Sequence, residues 1–184
     1  RPWLAESVSS ANGGRQWTIR LREGAKWHDG KALTSEDVKF SYEYYKKYPL
    51  VGRFATAVRP ISDIRTPDAR TVVITLPRPE ANFQLAPLAD APILPKHIWE
   101  SVTDPRAFKN AIGSGPFKLV EHRPDQTYRL VENLDYFGGR PGADEVILSV
   151  IKDATSTFQA LRAGQISATS REVLPELIQN FSSD

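Results

Sequence analysis

Apolar and polar side chains alternate through Trp17, Thr18, Ile19, Arg20, Leu21 and Arg22. That period of two predicts a half-buried strand with Trp17, Ile19 and Leu21 on one face. Gly24 breaks the run, and Lys26-Trp27-His28 resumes it as a short strand. Asp29-Gly30 then reads as a turn, because glycine takes a positive φ without a Cβ clash. Beyond it the period changes to that of a helix. Val38, Ser41, Tyr42 and Tyr45 share one helical face, and Pro49 lies just past the end. Thr34 fits as N-cap with Asp37 three residues on, a weaker form of a capping box usually closed by Glu or Gln. Glu36 and Asp37 also put negative charge at the positive end of the helix dipole. Residues 17–45 therefore read as strand, turn, short strand, turn, helix, and the rest of the chain is organised around them.

Upstream, residues 3–8 predict a strand joined to the central stretch by the turn Ala11-Asn12-Gly13-Gly14. Downstream, residues 46–54 form a loop. Residues 58–65 and 71–76 alternate well enough for two strands around a Thr66-Pro67-Asp68-Ala69 turn. Pro77 and Pro79 end the second of them. A short helix is expected over 81–88. Another opens with Pro95 at its first position and runs over 96–102, and Asp104 caps a turn through Phe108. Gly113-Ser114-Gly115-Pro116 is a tight backbone crossing. Residues 117–121 and 128–132 pair as a hairpin around Arg123-Pro124-Asp125-Gln126, and a glycine-rich loop follows over 133–142. The run VILSVI, residues 146–151, predicts a buried strand covered on both faces. Asp153 or Thr155 caps a helix with Phe158 and Leu161 on one face, stopped by Gly164. Residues 165–168 suggest a last strand, and 172–181 a helix with Pro175 in its first turn. The layout is mixed α/β, with antiparallel hairpins early and a strand-helix-strand unit late.

The chain has 184 residues, 40% hydrophobic and 25% charged, enough for one sizeable core or two small ones. With 24 basic against 22 acidic side chains, the net charge of +2 gives no argument for nucleic acid. Cysteine is absent, which excludes disulfides, thiolate metal sites and cysteine nucleophiles. No apolar window approaches a membrane span. The opening RPWLAESV has no apolar signal region, which taken alone favours the cytoplasm.

Chemistry-bearing motifs are scarce. His28-Asp29 suggests a His–carboxylate pair, yet His97 and His122 lie in unrelated elements and no metal-binding His spacing occurs. A turn with a surface imidazole is the expected reading of His28. Glu36 and Asp37 are adjacent on a helix and point apart, so they cannot flank a sugar as a glycosidase pair. Gly113-Ser114-Gly115 has Lys118 where the third glycine of a phosphate loop belongs, and it leads into a strand. Ser114 is not in a nucleophile elbow, since Ile112 precedes Gly113. Aromatic residues crowd positions 40–54. Tyr42 and Tyr45 have the spacing of core residues, while Tyr48 and Phe54 lie in a loop, where aromatics serve ligand contact. No nucleophile–base pair, metal site or cofactor motif emerges, so the chain is read as neither an enzyme nor a cofactor carrier.

The wording of the central stretch is more specific than its pattern. LREGAKWHDGKALTSEDVKFSYEY resembles the signature of the extracellular solute-binding proteins of family 5, the peptide- and nickel-type receptors of ABC importers. The resemblance continues in order through VVITLPRPEANF, ILPKHIWE, GSGPFKLVE and ENLDYFGGRPGADEVILSVIKDATSTFQALRAGQI. It implies a periplasmic binding protein type II-like lobe with mixed sheets and hairpins, incomplete without a second lobe. Within that lobe, residues 1–112 would be a small subdomain of hairpins plus helix, 113–170 the strand-helix part of the main sheet, and 171–184 a tail toward the second lobe. The N-terminus of the whole protein would lie upstream of Arg1. Ser167 departs from the acidic residue usual after this Gly-Gln-Ile, so residues 171–184 align poorly.

The same resemblance implies a protein outside the cytoplasm, periplasmic or extracellular. It would capture a small solute, an oligopeptide or dipeptide first of all, between two lobes and deliver it to a membrane permease, with no chemistry on the ligand. It singles out Phe54, Leu88, Ala89 and Asp90 as ligand contacts, to which loop position adds Tyr48. Asp90 is the one charge in its apolar stretch, suited to a ligand amine or to an Arg of the same lobe. An isolated lobe would expose a sheet edge and self-associate. The rival reading from another class is a hydrolase with its active site outside this chain.

Overall fold

A computed structural model describes residues 3–48, 52–105, 107–109 and 112–170. Two compact units emerge: Arg1–Lys118 with Val131–Asp144, and Leu119–Leu130 with Glu145–Asp184.

The alternating run forms β2 (Gln16–Leu21), an inner strand of a four-stranded antiparallel sheet. Its partners are β1 (Ala5–Ala11), β3 (Asp63–Asp68) and β4 (Thr71–Thr75), in the order β1-β2-β4-β3. Ile19 lies opposite Val72 and Trp17 opposite Ile74, which in turn faces Ile64 on β3. One sheet face therefore carries Ile19, Leu21, Ile64, Val72 and Ile74, all buried. Helix α1 (Ser35–Lys47) packs on β3 and β4 and buries Val38, Ser41, Tyr42 and Tyr45 against that face, as their spacing predicts. Tyr44 is buried as well.

Several elements differ from expectation. The Lys26-Trp27-His28 strand is reduced to a single bridge between Lys26 and Ala32. Phe54, read as part of a loop over 46–54, lies instead in a helix, α2 (Arg53–Val58), and the strand expected from 58 starts only at Asp63, as β3. The Thr66-Pro67-Asp68-Ala69 turn is displaced too. Thr66 to Asp68 belong to β3, whose register with β4 is irregular between Arg65 and Asp68. The reversal falls at Ala69-Arg70, where the Asp68 carboxylate accepts the Arg70 N–H at 2.8 Å. Pro67 has no N–H for a ladder, which an irregular edge strand tolerates. The helix expected over 81–88 is a series of turns leading into α3 (Pro87–Asp90), and that over 96–102 is a single turn, α4 (Lys96–Trp99), with Pro95 at its cap.

β5 (Phe117–Arg123), β6 (Thr127–Glu132) and β7 (Glu145–Ser149) form a second sheet in that order. Backbone bonds from Glu132 to Asp144 and from Val150 to Gln126 make β6 and β7 antiparallel. The strand VILSVI is present but not buried. Ile147 is 60% exposed and Leu148 53%, so both faces of β7 are open at the edge of the sheet. Continuous apolarity records that a strand suits a doubly covered position; it does not say which residues cover it. Asp153 caps α5 (Ala154–Arg162) by accepting the Ser156 N–H at 2.8 Å, Phe158 is buried, and Gly164 ends the helix at φ +67°. No strand forms over 165–168, and the helix expected over 172–181 lies outside the described residues.

Candidate ligand-binding site

The inner face of α1 sets the position of the segment that follows β4. Tyr42 donates its hydroxyl to Pro87 O at 3.2 Å, and Tyr45 donates to Pro92 O at 2.8 Å. Ser41 Oγ accepts the Leu94 N–H at 2.7 Å. Three side chains of one helix thus fix residues 87–94 by their main chain, satisfying backbone groups that burial would otherwise leave unpaired. Burial raises the pKa of the Tyr42 and Tyr45 hydroxyls, with a smaller push from the neighbouring Tyr45 and Tyr44 respectively. Both phenols stay neutral donors over the physiological range.

Against this scaffold, α2 and α3 pack together. The Phe54 ring is half-buried, 5.4 Å from the Tyr45 ring between centroids. The Arg53 guanidinium lies 5.0 Å from the Phe54 centroid and donates from Nη2 to Asp90 Oδ1 at 3.0 Å. The Arg53 and Asp90 side chains are 71% and 46% exposed, so solvent screens the pair to within about 1 kcal/mol. Leu88 packs on the core, while Ala89 and Asp90 are exposed. The two segments that the sequence singles out are therefore brought together. Asp90 takes the second of its two expected partners, an Arg of the same unit. Arg53 itself was missed, because nothing in its local pattern says it faces Asp90. Tyr48 stands slightly apart. It ends α1, its N–H donates to Tyr44 O at 2.9 Å, and its ring lies 4.4 Å from the Tyr44 ring.

The histidines are placed otherwise than expected. His28 is no surface imidazole: it is half-buried against the 113–115 segment. His97, remote in sequence, reaches Asp29, with Nε2 2.7 Å from Oδ2. Burial alone would raise the Asp29 pKa, but the bonds from His97 and the Lys31 N–H outweigh it and hold the carboxyl below its ordinary range. Among the described residues, no cluster of three His, Asp or Glu side chains could hold a metal. Nor is any described helix long and apolar enough to cross a membrane.

Residues 1–182 match the family model described as bacterial extracellular solute-binding proteins, family 5 Middle. A candidate ABC transporter peptide-binding protein of Brucella ovis is 36% identical over 98% of this chain and 35% of its own length. The oligopeptide-binding protein AppA of Bacillus subtilis is 35% identical over 89% of this chain and 31% of its own length. Its structure in complex with a nonapeptide superposes with a TM-score of 0.82, covering 89% of this chain and 34% of the solved one. NikZ of Campylobacter jejuni, solved with Ni(L-His), is 26% identical with a TM-score of 0.87, over 100% of this chain and 37% of its own. This chain spans about a third of the length of the curated relatives it matches.

Proposed function

The chain belongs to the bacterial extracellular solute-binding proteins of family 5, and on that premise we propose that it forms part of an ABC importer's peptide receptor. The whole protein captures an oligopeptide or dipeptide outside the cytoplasm and passes it to a membrane permease without altering it. The names of the Brucella and Bacillus relatives support a peptide over other solutes.

The juxtaposition of α2 and α3 carries the reading for this chain. Phe54 offers an apolar wall, backed by Tyr45, and Leu88 and Ala89 extend it. Arg53 and Asp90 present one charge of each sign on an exposed shelf. A peptide terminus can exchange for either partner at small cost, because the pair itself contributes little. Rigid elements hold short recognition segments here, the usual division of labour in a binding site.

Native mass spectrometry tests the proposal. The complete receptor is mixed with di- to nonapeptides and the bound fraction is read directly. Retention of peptides by the parent, with a clear loss in Arg53→Ala, supports it. Retention of peptides equally by both proteins removes this shelf from the site, and no retained peptide removes the peptide assignment.

A further inference from the structure

We propose that neutral His28 is an acid-sensitive latch holding the Gly113-Ser114-Gly115 strap to the Trp27–Gly30 turn. The contact is reciprocal. The His28 N–H donates to Gly113 O at 2.8 Å, and the Gly113 N–H faces His28 Nδ1 at 3.2 Å. A ring nitrogen that accepts an N–H carries no proton of its own. The ring proton therefore sits on Nε2, which donates to Gly115 O at 3.1 Å. Asn133 Nδ2 donates to the same carbonyl at 3.0 Å. A Cβ on Gly113 would sit 3.3 Å from His28 Cε1, a tight contact that would require the ring to yield by a few tenths of an ångström.

A second proton changes this contact at one atom. It must enter at Nδ1, where it meets the Gly113 N–H head-on. One acceptor becomes a donor, and a hydrogen bond becomes a repulsion. The Nε2 bond to Gly115 O and the main-chain bond from the His28 N–H to Gly113 O both survive, so the strap loosens at the Gly113 N–H alone. Burial favours the neutral ring, and Lys118 at the start of β5 acts in the same direction. The Gly115 carbonyl and Asp29 oppose them, and Asp29 is itself engaged by His97 and the Lys31 N–H. The net effect lowers the His28 pKa below its ordinary value. The sign follows: the latch contributes fully above the unfolded imidazole value, and its contribution is lost as pH falls through the lower folded value.

Amide exchange at Gly113, corrected for the intrinsic rate, reads the latch at about pH 7.5, above the ordinary imidazole value, and at a lower pH where ring nitrogen shifts show His28 itself protonated. Protection should fall roughly tenfold at the lower pH, the worth of one ordinary hydrogen bond. In His28→Asn, whose Oδ1 can replace Nδ1 as a non-titrating acceptor, protection should be the same at both. Ring nitrogen shifts should place the proton on Nε2 at the higher pH. Equal protection of the parent at both pH values overturns the proposal, as does a ring proton on Nδ1, or a pH-dependent loss in His28→Asn matching the parent's.

Discussion

The Asp37 carboxylate, three residues into α1, accepts the backbone N–H of Lys96 at 2.9 Å across 59 positions of sequence. Its other oxygen accepts the Thr34 N–H at 2.8 Å and the Thr34 hydroxyl at 3.2 Å. One buried side chain thus caps α1 and anchors the start of α4. This explains an Asp where a capping box usually has Glu or Gln: the shorter carboxylate stays under the helix end, within reach of both partners. Asp37→Ala leaves the Thr34 and Lys96 donors unsatisfied. It should cost about 2–4 kcal/mol, read as a lower urea midpoint with an unchanged slope.

The tyrosine anchors predict sensitivity to alkali. The Tyr42 and Tyr45 pKa values are raised, by burial first. The unfolded chain therefore loses these protons before the folded one does. Stability is full below the ordinary tyrosine value of about 10 and falls as pH rises above it. Tyr42→Phe should flatten that decline while costing about 1 kcal/mol at neutral pH through the lost bond to Pro87. An alkaline decline as steep as the parent's would show that Tyr42 does not carry it.

The exposed edge of the second sheet predicts association. Ile147 and Leu148 on β7, with Val150 just past its end, offer apolar surface, and the outer side of β7 has no strand beside it among the described residues. Such edges recruit further strands. Sedimentation of this chain should show mass rising with concentration, and Leu148→Lys should reduce the effect. Because Ile147 is 60% exposed, Ile147→Asp should shift the stability of the chain by no more than about 0.5 kcal/mol. A loss of several kcal/mol would mean that β7 is covered after all.

What the sequence made legible was local. The alternation of Trp17, Ile19 and Leu21, the helical face of Val38, Ser41, Tyr42 and Tyr45, and the Asp153 cap with its Gly164 stop depend on neighbours a few residues away, and all are present. The errors lie where the deciding partner is distant. The helix over 53–58, where the sequence suggested a loop through 54, packs against α1 and α3, both distant from its local pattern. His28 was misjudged because Gly113 lies 85 positions on, and His97 because Asp29 lies 68 positions back. For the candidate site, family wording drew attention to both α2 and α3, while Arg53, which joins them, could be seen only in three dimensions.

The most direct test of the ligand shelf is titration calorimetry of the complete receptor with a peptide it retains. Phe54→Ala removes the apolar wall and Asp90→Asn removes the negative charge, and both positions are only partly buried or exposed. Each variant should bind about tenfold or more weakly, a loss of about 1.4 kcal/mol, with a melting temperature close to the parent's. Parental affinity in both variants would contradict the account and place the peptide contacts elsewhere in the protein.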